Sequence, residues 1–272
     1  MTAASIQPSI EKSARTSPIQ TFRACYSEVP DSRFFSRFEE RFRVFEKMKA
    51  DDEPARKAAL DATLGATEVE LQNRRVLDLQ IRERFAQILH EAYSTAAMNA
   101  PVSFLRSLPP QDLEVVRQAQ SLAEPIDVKS LSLEGAYNLL LPGGFKVDFN
   151  RDGLSEIGVG KTAFFPPVDA PETFRIAWLQ ATESMSETDV MVHGLSLWSS
   201  LYRDQLVTPG EERFAVVRSD LVSTYVSLLK ERLRENEAFR AFLAPGQYER
   251  DRAFYRRLQE LIGQNAVLAG TV

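Results

Sequence analysis

Residues 147–167 read VDFNRDGLSEIGVGKTAFFPP. This stretch breaks the helical periodicity that runs through the chain on both sides of it. Its short apolar runs, separated by glycines and acids, predict two short strands around a loop. Outward from it the apolar spacing is that of helices, so the expected fold is mainly α. The expectation is a multi-helix, bundle-like arrangement with one short β-hairpin inserted near residues 145–165.

On the N-terminal side, residues 31–50 read DSRFFSRFEERFRVFEKMKA. Phe34, Phe38, Phe42, Phe45 and Met48 fall on one helical stripe, and Asp31 is a suitable N-cap. Arg33, Arg37, Arg41, Arg43, Lys47 and Lys49 border the stripe, tempered by Glu39, Glu40 and Glu46. A core helix whose arginines cover its edges is the expectation. Peripheral contact of residues 31–50 with a membrane surface is the alternative. Asp52-Glu53-Pro54 starts a second helix, which Gly65 breaks. Residues 67–100 then read as one long helix, ended by the geometry that Pro101 imposes on Ala100. Shorter helices follow Pro109-Pro110 and the cap at Ser130 or Ser132, and Pro142-Gly143-Gly144 stops the last of these.

On the C-terminal side, helices start near Asp169-Ala170-Pro171-Glu172, Ser186 and Thr208-Pro209-Gly210-Glu211. The third is expected to carry Phe214, Val217, Leu221, Tyr225 and Leu228 on one stripe. Asn236 and Pro245-Gly246 divide the remainder, and the last helix is expected to stop at Gly263. The organisation expected is a disordered tail over 1–29, an N-terminal helical region over 30–108 and a C-terminal helical region over 109–272. A single core shared across that boundary is the alternative.

Two chemistries compete for the quoted stretch. Gly160-Lys161-Thr162 matches the end of a phosphate loop, but that motif needs its first glycine where Ser155 stands and a helix where Pro166-Pro167 follow. Asp148, Asp152 and Glu156 would also repel a bound triphosphate, so no nucleotide is expected. The same acids suit a cation. Asp148, Asn150 and Asp152 occupy positions one, three and five of a calcium loop, Gly153 the sharp turn at six, the Leu154 carbonyl seven and Glu156 nine. This D-x-N-x-D-G-x-x-E pattern resembles the loops of EF-hand and dockerin proteins, and also those of FG-GAP and VCBS-type repeats. The resemblance covers about a dozen residues and implies a local geometry, not a family. It implies Asp148, Asn150, Asp152, Leu154 and Glu156 as Ca²⁺ ligands. The bidentate Glu of an EF-hand is replaced by Val159, and the flanks read as strands rather than helices, so the affinity expected is weak. A solvated acidic turn that binds nothing is the plain alternative.

Composition narrows the rest. The 272 residues carry a net charge of -5, with 44% hydrophobic and 26% charged residues, an ordinary balance for a globular chain. Acids and bases are mixed, which speaks against nucleic-acid binding. No apolar run reaches the length of a membrane span. The single Cys25 excludes an internal disulfide, and His90 and His193 offer no structural zinc set. His193 with Glu187, Asp189 and Ser196 is the nearest approach to a hydrolytic set, but Ser196 lacks the surroundings of a nucleophile elbow. The expectation is therefore a non-enzymatic helical protein, clipped by one Ca²⁺ and acting through a protein partner. The alternatives are a leaderless exported effector or scaffold without metal, and a helical hydrolase. Without a signal peptide the default compartment is cytoplasmic, with leaderless secretion as the alternative.

Overall fold

The computed structural model describes residues 32–49, 51–203 and 217–268. Among these the chain forms 11 α-helices and one antiparallel two-stranded hairpin, as its periodicity predicts. No described helix is long and apolar enough to cross a membrane.

The N-terminal part comprises α1 (Ser32–Lys47), α2 (Glu53–Leu64), α3 (Ala66–Arg74), α4 (Leu79–Ser94), α5 (Pro101–Ser107), α6 (Pro110–Ala119) and α7 (Leu133–Leu139). The stripe on α1 is core. Phe34, Phe38, Phe42 and Phe45 are at most 4% exposed, and Phe38, Phe42 and Phe45 join Leu60, Phe85, Ile88 and Leu89 in one cluster. The apolar stripe through which residues 31–50 would meet a membrane surface is thus turned into the core. Arg56 snorkels over Phe45, its guanidinium carbon 4.4 Å from the ring centre, while pairing with Glu83 at 2.6 Å.

The long helix expected over 67–100 is interrupted. α3 ends at Arg74, Val76 adopts φ 54°, and α4 restarts under a cap in which the Asp78 carboxylate accepts from Gln80 N at 2.7 Å. A second break follows Ser94, and Pro101 opens the separate helix α5 instead of merely ending a long one. The N-terminal core runs past the boundary expected at 108–109. Val116 and Ala119 of α6 and Ala136 and Leu139 of α7 lie in the same cluster as Phe38 and Phe42.

The hairpin consists of β1 (Leu154–Ile157) and β2 (Gly160–Ala163), with Glu156 opposite Lys161 and Ile157 opposite Gly160. β2 ends before Phe165, so the strand expected from Ile157 onward is divided by the turn at Gly158-Val159. Gly158 N donates to Gly135 O of α7 at 3.1 Å, and a carbon on Gly135 would overlap the Gly158 carbonyl. Backbone therefore meets backbone where α7 touches the hairpin.

The C-terminal part comprises α8 (Glu172–Thr182), α9 (Glu187–Leu201), α10 (Val222–Ala238) and α11 (Gln247–Leu268). Phe174, Trp178, Leu197, Tyr225, Leu229, Tyr255 and Leu258 make its core. Phe174 and Tyr225 stack with centroids 3.7 Å apart, and Phe165 meets Trp178 edge-on at 4.8 Å. Tyr225 and Leu228 are buried as the expected stripe requires, whereas Leu221 precedes α10 and is 39% exposed. Phe214 and the start at Thr208–Glu211 lie outside the described residues, as do Cys25 and the tail over 1–29. α10 runs through Asn236, which is buried, and α11 continues through Gly263, where the backbone is open to solvent. Neither residue breaks its helix, since packing outweighs a propensity cost of about 1 kcal/mol.

Candidate metal centre

The loop between α7 and β1 is shaped by its own short polar side chains. Asp148 Oδ2 accepts from Gly153 N at 2.9 Å across the turn. Asn150 Oδ1 accepts from Asp152 N at 3.0 Å, and Asp152 Oδ1 from Leu154 N at 2.8 Å. These side-chain-to-backbone bonds are how Asp and Asn stabilise a turn. Arg151 and Gly153 both take positive φ, at 55° and 81°. Gly153 is required twice over, because a Cβ there would also stand 2.5 Å from the Tyr202 ring.

The loop is held from both sides. On the α7 side, Glu134 accepts from Phe149 N and Glu156 N, each at 2.8 Å. Asn138 Nδ2 donates to Val147 O and Glu156 O, and Asn138 Oδ1 accepts from Val147 N, all at 2.8 Å. The Ser132 hydroxyl donates to Glu156 Oε2. On the α9 side, Trp198 Nε1 donates to Gly153 O at 2.9 Å and the Tyr202 ring lies against Gly153. The sequence does not point to Ser132, Glu134, Asn138, Trp198 or Tyr202 as partners of the loop. Only Ser132 carries a local signal, as the N-cap of α7; the others act across 9 to 49 residues of chain.

Behind the loop, Lys146 is buried in the N-terminal part. Its ammonium donates to Gln120 Oε1 at 2.8 Å, Asn138 O at 2.8 Å and Leu141 O at 2.7 Å. Burial pulls its pKa down to about 7, with Glu68 acting in opposition. Glu68 accepts from Gly143 N at 2.6 Å and from Gln72 Nε2 at 2.7 Å, and burial raises its pKa.

Of the expected ligands, Asp148 has the least complete set of partners. Its Oδ1 is buried and has no hydrogen-bond partner among the described residues. Burial raises its pKa to about 6; the Gly153 N–H opposes this, and the charges of Asp152 and Glu134 add to it. The buried Tyr202 hydroxyl also has no hydrogen-bond partner, and burial raises its pKa. The Ser219 hydroxyl, which donates to Asp169 Oδ2 at 2.7 Å, opposes that rise.

Glu156 is engaged by Ser132 and by Lys161, whose Nζ is 3.0 Å from Glu156 Oε1 and 4.0 Å from Asp152 Oδ2. The Ser132 hydroxyl and then Lys161 lower the Glu156 pKa, and Glu156 raises that of Lys161. Leu154 pairs with Ala163 in the hairpin, and Asn150 Nδ2 donates to Asp152 Oδ2 at 3.1 Å. Among the described residues, no group of three or more His, Cys, Asp or Glu side chains is arranged to hold a metal ion. Gly160, Lys161 and Thr162 lie in β2 and not in a loop feeding a helix.

The histidines are packing residues. His90 stacks on Phe42 at 4.2 Å and His193 on Phe254 at 4.1 Å, and burial lowers the His193 pKa. Ser196 Oγ accepts from Arg232 Nη2 at 2.6 Å. Comparison of the chain with family models, with curated proteins and with solved structures gives no match.

Proposed function

We propose that the chain is a non-enzymatic helical protein whose 148–156 loop takes one Ca²⁺ weakly, as a structural clip. Asp148, Asn150 and Asp152, with the Leu154 carbonyl, would supply its oxygens, and Glu156 would join them on leaving Lys161. The observation that carries this reading is the Oδ1 of Asp148, buried and without a hydrogen-bond partner among the described residues, in a carboxylate that burial and the charges of Asp152 and Glu134 hold against ionisation. A hard cation that accepts irregular oxygen geometry suits such a group. The ion would neutralise the acids and fasten the loop that touches both halves of the molecule.

A second reading has its own observation. Lys161 already places a positive charge between Asp152 and Glu156, so the clip can be closed by an ion pair with no metal. In either case the protein acts through its surfaces. Met191, Val192 and Leu195 of α9 are 56–67% exposed on one side of that helix, a face of the kind that meets a protein partner.

Thermal melting in millimolar Ca²⁺ and in chelator decides between the two. At a hundredfold excess over Kd the metal reading expects about 2.7 kcal/mol of stabilisation, a rise of about 5–10 °C in Tm. The rise is expected to vanish in Asp148→Ala/Asp152→Ala. Equal melting of the wild type with and without Ca²⁺ would leave the ion-pair clip as the function of the loop.

A further inference from the structure

The hairpin joins the two halves of the molecule unequally. Towards α7 it is tied by two backbone N–H groups on Glu134, by three bonds to Asn138, by Ser132 on Glu156 and by Gly158 N on Gly135 O. Towards α9 it is tied by Trp198 Nε1 on Gly153 O and by the Tyr202 ring on Gly153. This second junction is also where two buried polar atoms, Asp148 Oδ1 and the Tyr202 hydroxyl, make no hydrogen bond among the described residues. A buried group without a partner disfavours the closed arrangement, whereas water can satisfy it in an opened one. Between β2, which is exposed along its length, and Phe165, which is seated on Trp178 and Phe174, lies only Phe164.

We propose that the hairpin is a latch that releases on its α9 side. The 148–153 loop lifts from Trp198 and Tyr202 while β1 and β2 stay on α7, and the chain at 163–164 is the hinge. Opening uncovers Asp148, Tyr202 and the inner side of α9 without disturbing either hydrophobic core. The latch rests on the bonds around Gly153 and Glu134, and it holds whether or not the loop takes a cation.

Two hydrogens report the two junctions separately. The indole N–H of Trp198 reports the α9 side, and the backbone N–H of Glu156, bonded to Glu134, reports the α7 side. Their exchange with solvent is followed by NMR in the full chain, in chelator, each rate being divided into its intrinsic unprotected rate. The latch expects the Trp198 indole to be protected at least tenfold less than the Glu156 amide. Gly153→Ala, which drives a carbon into the Tyr202 ring, is expected to speed the indole at least a further tenfold and to leave the Glu156 amide unchanged. Equal protection of the two groups overturns the proposal, because the hairpin would then open only with the whole fold. A less protected Glu156 overturns it too, because the hairpin would then leave α7 first. The wild-type comparison decides the matter even if Gly153→Ala does not fold.

Discussion

Lys146 and Asp148 stand on either side of Val147, and both bury charge, yet their surroundings are opposites. The ammonium of Lys146 has three acceptors for its three hydrogens, drawn from the residue just after α6, from α7 and from the chain just after α7. One oxygen of Asp148 accepts from the Gly153 N–H, and the other has no hydrogen-bond partner among the described residues. A buried charge with every valence filled fixes the path of the chain around it. A buried charge with one valence open marks a place where something else can bind or the structure can part. Two residues of sequence thus separate a rigid anchor from an adaptable junction.

The comparison can be broken most severely at the anchor. Lys146→Met leaves Gln120 Oε1, Asn138 O and Leu141 O without their donor and deprives Glu68 of its cation. A loss of about 3–5 kcal/mol in urea unfolding is expected, and a loss under 1 kcal/mol would show that the ammonium is dispensable. Glu134→Ala strips the acceptor from two backbone N–H groups of the hairpin. About 2–3 kcal/mol is expected by the same measurement.

The open valence makes a pH prediction. The folded-state pKa of Asp148, about 6, lies above its ordinary value of 3.8. The folded chain therefore holds an extra proton between those values. The resulting stability is full below about pH 4 and is lost as pH rises through about 6. In chelator, the stability of the wild type relative to Asp148→Asn should fall by about 1 kcal/mol between pH 4.5 and 7.5, the full shift being discounted because this carboxyl is only partly buried. Parallel pH profiles of the two proteins would remove Asp148 from the account. The smallest effect belongs to Lys161, whose side chain is half exposed. Lys161→Met should change stability in chelator by no more than about 0.5 kcal/mol. It should also strengthen Ca²⁺ binding, measured by calorimetry, if Glu156 is released to the ion.

Much of the fold was legible because it depends on local periodicity. The Phe34, Phe38, Phe42 and Phe45 stripe predicts the buried face of α1, and Gly153 predicts the sharp turn that the loop makes. The breaks were less legible. Val76 takes a left-handed conformation with no glycine to announce it, and Gly263 sits inside α11 although glycine is a poor helix former. The candidate site was half legible for a similar reason. Alternating oxygens from Asp148 to Asp152 stand out in the sequence, but what governs them arrives from elsewhere in the chain. Glu134, Asn138, Trp198 and Tyr202 look like ordinary helix residues until the fold brings them to the loop. Lys161 was legible as part of a false phosphate motif; its partners across the hairpin give it another role.

The contact between Gly135 and Gly158 has a consequence for recombination and design. Because backbone touches backbone there, α7 and the hairpin turn cannot be exchanged independently with foreign segments. A graft of the 147–163 hairpin into another helical protein would keep its shape only if a helix carrying Glu, Gly and Asn at the spacing of Glu134, Gly135 and Asn138 came with it. The transferable unit is the helix and hairpin together, and residues 132–163 are the shortest cassette that contains both strands and all of their bonds to α7.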